Sequence, residues 1–196
     1  MIVTNNYPKE IRQSGLRFQV VLCDVPCSGE GMFRKNANAI DEWSVENVNK
    51  CQQLQREIVA EAWQCLEPNG LLIYSTCTFN TKENEENVAW ICQELGATTL
   101  RVKVEEDWNI MGNLLSAPAA EDTTNKDSKH SSAFNVYRFI PGYQDKTGNF
   151  YGEGLFMAVL RKEGTSQPMK ETTSKKKERY LCLLYTSDAA DDSLRV

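Results

Sequence analysis

Two cysteines fifty residues apart, Cys27 and Cys77, each stand just past a run of apolar residues. The first lies in Asp24-Val25-Pro26-Cys27-Ser28-Gly29-Glu30-Gly31, directly after Phe18 to Cys23. The second lies in Tyr74-Ser75-Thr76-Cys77-Thr78, directly after Leu71-Leu72-Ile73. Each apolar run reads as a buried strand, and ligands of an open α/β sheet gather outside the carboxyl ends of its strands. Two thiols and the Asp24 carboxylate at one such edge suit nucleophilic chemistry on a small planar substrate. Each motif also has a plainer reading. A Pro-Cys after a strand can be a turn with a buried thiol, and Gly29-Glu30-Gly31 serves a tight turn as well as a phosphate cradle. Cys51, Cys65 and Cys92 fall on helical stretches and Cys23 inside a strand, where thiols act as packing groups.

The elements that must carry these residues follow from the apolar pattern. Ile2-Val3-Thr4 reads as the end of a strand. Gln19 to Cys23 is a continuous run rich in β-branched residues, as in a central parallel strand. A helix is expected from Ser44 to Leu66, with Ser44 as N-cap and Val45, Val48, Leu54, Ile58, Ala62 and Leu66 at helical spacing. Pro68-Asn69-Gly70 should end it in a turn, and Leu71 to Ser75 is the next strand. Glu83 to Leu95 reads as a second helix whose acidic first turn complements its dipole. This alternation implies a right-handed doubly wound α/β sheet. Asn135 to Ile140 and Gly154 to Leu160 suit an antiparallel pair at the sheet edge. Residues 116–132 are polar and without apolar period and read as a flexible insertion. Residues 163–196 match no packing logic and read as a disordered or artefactual tail.

Composition narrows the function classes. The chain has 196 residues, enough for one domain with a tail, of which 41% are hydrophobic and 25% charged. No apolar run approaches the roughly 18 residues a membrane span requires, and the first residues lack the regions of a signal peptide. Seven cysteines without framework spacing suit a reducing cytoplasm. The one histidine, His130, lies in a polar stretch, which argues against a Ser-His-Asp triad, a Cys-His pair and most zinc sites. A net charge of −5 neither favours nor excludes nucleic acid, because phosphate contacts need local cations such as Arg34-Lys35.

Three stretches together resemble the Sun-type (Nol/Nop/Sun) RNA cytosine methyltransferases, which methylate carbon 5 of cytosine. They are Asp24 to Asn36; Glu67-Pro68-Asn69-Gly70 through Thr76-Cys77-Thr78-Phe79 to Glu83-Asn84-Glu85; and Gly152-Glu153-Gly154-Leu155-Phe156 with Ala158 to Lys162. The likeness spans about residues 2 to 162 and lies closest to the bacterial branch acting on small-subunit ribosomal RNA. Asn69 stands where the family usually has a second glycine. The family's glycine-containing cofactor loop, its catalytic-site lysine and its first two strands are not matched. The resemblance therefore implies a fragment: residues 1–162 as the C-terminal part of a Rossmann-like S-adenosylmethionine-dependent sheet with an antiparallel edge pair. Such a stretch alone is expected neither to bind the cofactor well nor to fold robustly.

By the same resemblance Cys77 is the nucleophile that adds to carbon 6 of cytosine, and Cys27 promotes release of the covalent adduct. Asp24 lies near the ring or the cofactor, with Pro26 and Asn5 or Asn6 on the cofactor side, and Arg34 and Lys35 hold phosphate. The implied cofactor is S-adenosylmethionine and the implied partner ribosomal RNA, loosened so that one base can enter a pocket. No metal, no membrane and a monomer are expected. Two other readings stay open: a DNA cytosine methyltransferase with Cys27 as nucleophile, and an RNA-binding module without turnover. Glu86-Asn87-Val88 imitates a DNA-type motif but falls inside the second helix.

Overall fold

The computed structural model describes residues 2–105, 108, 110–115, 134–140, 142–144 and 150–164. The insertion expected at 116–132, His130 and the tail beyond 164 lie outside the described residues.

Cysteine-bearing segments are held by one parallel strand pair. β1 (Phe18–Asp24) and β2 (Leu66–Thr76) run side by side, with Cys23 opposite Tyr74 and Asp24 opposite Ser75. Parallel neighbours need a crossover, and α3 (Val45–Gln64) supplies it. Ser44 caps this helix as expected, its Oγ accepting from Asn47 N at 3.1 Å. The buried face differs from the expected stripe: Val48, Gln55, Val59, Ala62 and Trp63 face inward, while Val45 and Leu54 are exposed. A polar residue, Gln55, thus sits at the centre of the helix's buried side.

The turn expected at Pro68-Asn69-Gly70 is instead a bulge within β2. The helix stops at Gln64, Phe18 N donates to Cys65 O at 2.8 Å, and Phe18 pairs with Leu66. The register then slips so that Val20 meets Leu71, with Asn69 left-handed at φ 63°. The extra residues leave the strand plane and rejoin it, which lets strand pairing begin earlier than the turn residues suggested.

β2 pairs on its other side with β8 (Leu155–Lys162), antiparallel, Thr76 opposite Phe156. β8 also pairs antiparallel with β5 (Tyr137–Phe139) and β3 (Ala97–Thr99), and β4 (Ile110–Met111) lies beyond β5. The expected antiparallel pair is thus β5 with β8, on the side of the sheet away from β1. Among the described strands β1 and β2 are the parallel pair and the others pair antiparallel, so the sheet is a mixed α/β sheet that joins the expected crossover unit to the expected antiparallel pair. A second small sheet joins β6 (Tyr143–Gln144) to β7 (Phe150–Tyr151). Ile2 to Thr4 form no strand; Pro8–Gln13 is a short helix, α1, which Glu10 opens by accepting from Tyr7 N, and Asn38–Glu42 is another, α2.

α4 (Glu85–Leu95) packs beside α3, and between them and the sheet lies the core of Val59, Trp63, Leu72, Tyr74, Val88, Ile91, Phe156 and Leu160. Asn87 and Val88 of the DNA-like triplet are buried here, and Glu86 accepts from Gln52, so helix packing accounts for that motif. No helix among the described residues is long and apolar enough to cross a membrane.

Candidate active site

Because β1 and β2 are in register, their carboxyl ends deliver both cysteine loops to one place. Cys27 Sγ and Cys77 Sγ lie 3.1 Å apart. That contact is a hydrogen bond, and it divides the pair's protons unequally. Cys77 is drawn down from 9.0 to about 7, first by the bond from Cys27, against burial and the charges of Asp24 and Glu83. Cys27 is pushed well above the thiol range, first because it must keep the proton it gives to Cys77, then by burial. The pair thus releases one proton near neutrality and retains the other. The direction of the two shifts favours Cys77 over Cys27 as the thiolate of the pair. Cys23, raised to about 12 by burial and by Cys65, and Cys51 and Cys92, each raised to about 11 by burial, have the inert character of packing residues.

Asp24 closes β1 and accepts from Ser75 Oγ at 2.8 Å, leaving its other oxygen free of that bond. It stands with Pro26 at the edge of a hollow of about 400 Å3 that also includes Ile11, Val20, Leu22 and Ile58. Asn5 is exposed and outside this lining, and Asn6 donates to Glu10 at 3.1 Å. Arg34 and Lys35 are exposed on the segment after the Cys27 loop; Lys35 lies 3.8 Å from Glu153. Another hollow, of about 460 Å3, contains Arg101, Lys103, Phe134 and Asn135 but neither cysteine of the pair. Among the described residues no group of three or more His, Cys, Asp or Glu could hold a metal.

The groups around the thiols that sequence reasoning passed over are carboxylates and amides. Glu30 Oε2 accepts from Phe79 N and Asn80 N at 2.7 and 2.9 Å, and Oε1 from Asn80 Nδ2 and Trp43 Nε1. Burial raises this carboxyl, and hydrogen bonds from Thr78, Phe79 and Asn80 outweigh it, so Glu30 sits below its ordinary value. Glu83, fully buried, accepts from Ser28 N, Gln55 Nε2 and Asn80 Nδ2. Gln55 also donates to Pro26 O at 2.8 Å. A glutamate between two glycines and a glutamine in an apolar helix face were the signals available.

A crossover pair of strands delivering reactive side chains to their carboxyl edge defines the Rossmann-like α/β class. The same fold recurs in the crystal structure of NSun6 from Pyrococcus horikoshii with SFG. The TM-score is 0.55 at 23% identity, over 83% of this chain and 34% of that one. Residues 2–156 match the family described as 16S rRNA methyltransferase RsmB/F, and the chain belongs to it. Its relatives include Ribosomal RNA small subunit methyltransferase F of Cronobacter sakazakii, 44% identical over 159 residues, covering 81% of this chain and 28% of that protein. The protein of the same name from Klebsiella pneumoniae is 46% identical over 152 residues, covering 78% and 27%. The chain thus spans little more than a quarter of these relatives' length.

Proposed function

We propose that residues 1–162 are part of the catalytic domain of a longer RNA cytosine-C5 methyltransferase acting on small-subunit ribosomal RNA. Cys77 is its nucleophile. The observation that carries this reading is the thiol pair, 3.1 Å apart past the carboxyl ends of β1 and β2, whose contact draws Cys77 down to about 7 and pushes Cys27 up. Carbon 5 of cytosine becomes nucleophilic only when carbon 6 has been attacked. The Cys77 thiolate forms the bond to carbon 6, and the ring's 5,6 electron pair moves to carbon 5. Carbon 5 would use that pair to bond a methyl group from a bound donor. A base then takes the carbon-5 proton, the C–H electron pair re-forms the 5,6 double bond, the sulfur–carbon bond breaks, and Cys77 leaves as thiolate. Cys27, beside it, assists this release. Asp24 holds the polar edge of the ring or the cationic side of the cofactor.

The cofactor of this reading is S-adenosylmethionine. The hollow beside β1 suits it in kind, with apolar walls at Val20, Leu22 and Ile58 and one carboxylate, Asp24, at its end. Bound there, S-adenosylmethionine would supply an electrophilic methyl on a sulfonium. Asp24 and Pro26, which line the hollow, would hold it from this chain. Arg34 and Lys35 would hold RNA phosphate; the exposed ion pair of Lys35 with Glu153 is of a kind worth at most about 1 kcal/mol and yields to a phosphate. The partner is ribosomal RNA, with no metal and no membrane, and the protein acts as a cytoplasmic monomer.

The test uses the full-length protein carrying Cys27→Ala, with ribosomal RNA and S-adenosylmethionine. A denaturation-resistant protein–RNA species is expected, and it should vanish when Cys77→Ala is added. No such species, with methylation lost only in Cys27→Ala, would make Cys27 the nucleophile and the reaction DNA-like.

A further inference from the structure

The two cysteines come from loops fifty residues apart, and thiols on separate loops meet only if something holds the loops together. Two carboxylates do so reciprocally. Glu30 leaves the Cys27 loop and receives the backbone N–H groups of Phe79 and Asn80, two and three residues past Cys77. Glu83 leaves the Cys77 side and receives the N–H of Ser28, the residue after Cys27, at 3.0 Å. Asn80 Nδ2 bridges them, donating to Glu30 at 3.0 Å and to Glu83 at 2.8 Å. The loops also touch directly. A side-chain carbon at Gly31 would collide with the Cys77 carbonyl oxygen and lie 3.1 Å from Cys77 Cβ. Ser28 Oγ and Thr78 Oγ1 are 3.2 Å apart.

We propose that Glu30 and Glu83 are positioning residues that clamp the Cys27 and Cys77 loops together and so hold the thiols in contact. Every group these carboxylates meet in the clamp is a donor. Only an acceptor without hydrogens satisfies them all, because a glutamine would turn an NH2 toward an N–H. The inference rests on the proposed role of Cys77 for its meaning in catalysis, but the thiol contact can be read without substrate.

The readout is the pH profile of Cys77 alkylation by iodoacetamide in the full-length protein, followed at the Cys77 peptide by mass spectrometry. The titratable groups acting on Cys77 are Cys27 from the β1 loop, Asp24 from the end of β1 and Glu83 from the segment before α4. Charge alone makes a clear opposite prediction. Glu83 raises Cys77, so Glu83→Gln acting only through charge would lower the midpoint. A released clamp instead takes away the Cys27 hydrogen bond, and the midpoint climbs from about 7 toward 9.0. Glu30→Gln should climb likewise, and so should Gly31→Ala, which parts the loops without changing any charge.

Each variant is compared with its own Cys27→Ala double variant, in which the climb has already occurred and should not increase further. Unmoved or falling midpoints in Glu30→Gln and Gly31→Ala would overturn the clamp, and these two decide if Glu83→Gln does not fold. Methyl transfer to ribosomal RNA by the unsubstituted protein is measured beside them. If it is absent while the midpoints climb, the clamp stands and the proposed function falls.

Discussion

At the residue scale the thiol pair makes stability depend on pH in a way that can be worked out in sign. Unfolded, both thiols titrate near 9.0; folded, one proton leaves near 7 and the other is held far higher. Between about 7 and 9.0 the unfolded chain therefore binds more protons than the folded one, and stability rises with pH. Cys77, whose value is depressed, contributes fully above 9.0 and loses its contribution as pH falls through about 7. Cys27, whose value is raised, contributes below 9.0 and loses its share as pH rises beyond it. The pair's contribution should thus peak near pH 9.0. Melting temperature against pH checks this: Cys27→Ala should flatten the rise between pH 7 and 9 relative to the parent. A rise of equal slope in the variant would show that other groups cause it.

At the element scale β2 shows how a local signal can be right in kind and wrong in place. Pro68, Asn69 and Gly70 have the composition of a turn, and they are irregular, but the irregularity is a bulge inside a strand already paired at Leu66. Asn69 carries the strain, since a left-handed φ of 63° is comfortable for glycine and costly for a branched side chain. Asn69→Gly should therefore raise stability slightly, and Asn69→Val should lower it by about 1–2 kcal/mol in urea unfolding. Ser44→Ala should cost about 1 kcal/mol by the same measurement, because Asn47 N loses its acceptor. The end of α3 depends on a residue ninety-nine positions from its carbonyl: Lys162 Nζ donates to Trp63 O at 2.8 Å and to Leu66 O at 3.1 Å. Contacts of that range explain what was legible. β1, β2, β5, β8, α3, α4 and both cysteine loops announced themselves through neighbours in sequence, whereas α1, β3 and β4 are too short to carry an apolar period. The roles of Glu30, Glu83 and Gln55 were not legible, because the contacts that join the two loops, Glu30 to Phe79, Glu83 to Ser28 and Gln55 to Glu83, span 28 to 55 residues and a carboxylate reads locally as a solvated charge. Pairing β8 between β2 and β5 was hidden for the same reason, since strand order is a choice among distant segments.

At the scale of the whole molecule the Cys77 loop is tied to the far side of the sheet by one buried ion pair. Arg138 on β5 donates through Nη2 to Glu85 Oε1 at 2.6 Å and through Nη1 to Phe79 O at 2.8 Å, with its guanidinium over the Phe156 ring. Glu85 also accepts from Leu114 N at 3.3 Å. Four separate segments, α4, β5, the loop after Cys77 and residue 114, converge on these two side chains, of which 0% and 4% are exposed. Among the described residues the charges are satisfied incompletely: Glu85 Oε2 and Arg138 Nε have no hydrogen-bond partner there. A buried pair of this kind is costly to desolvate, so its removal as a unit and its disruption have different outcomes. Arg138→Met leaves the Glu85 carboxylate buried and unpaired, and should destabilise by about 3–5 kcal/mol. Arg138→Met with Glu85→Leu removes both desolvation penalties and should recover most of that loss. Urea unfolding of the parent, both single variants and the double variant measures the coupling. If the double variant is as unstable as the sum of the singles, the pair acts as two independent packing groups, and the sheet is not held to the Cys77 loop through it.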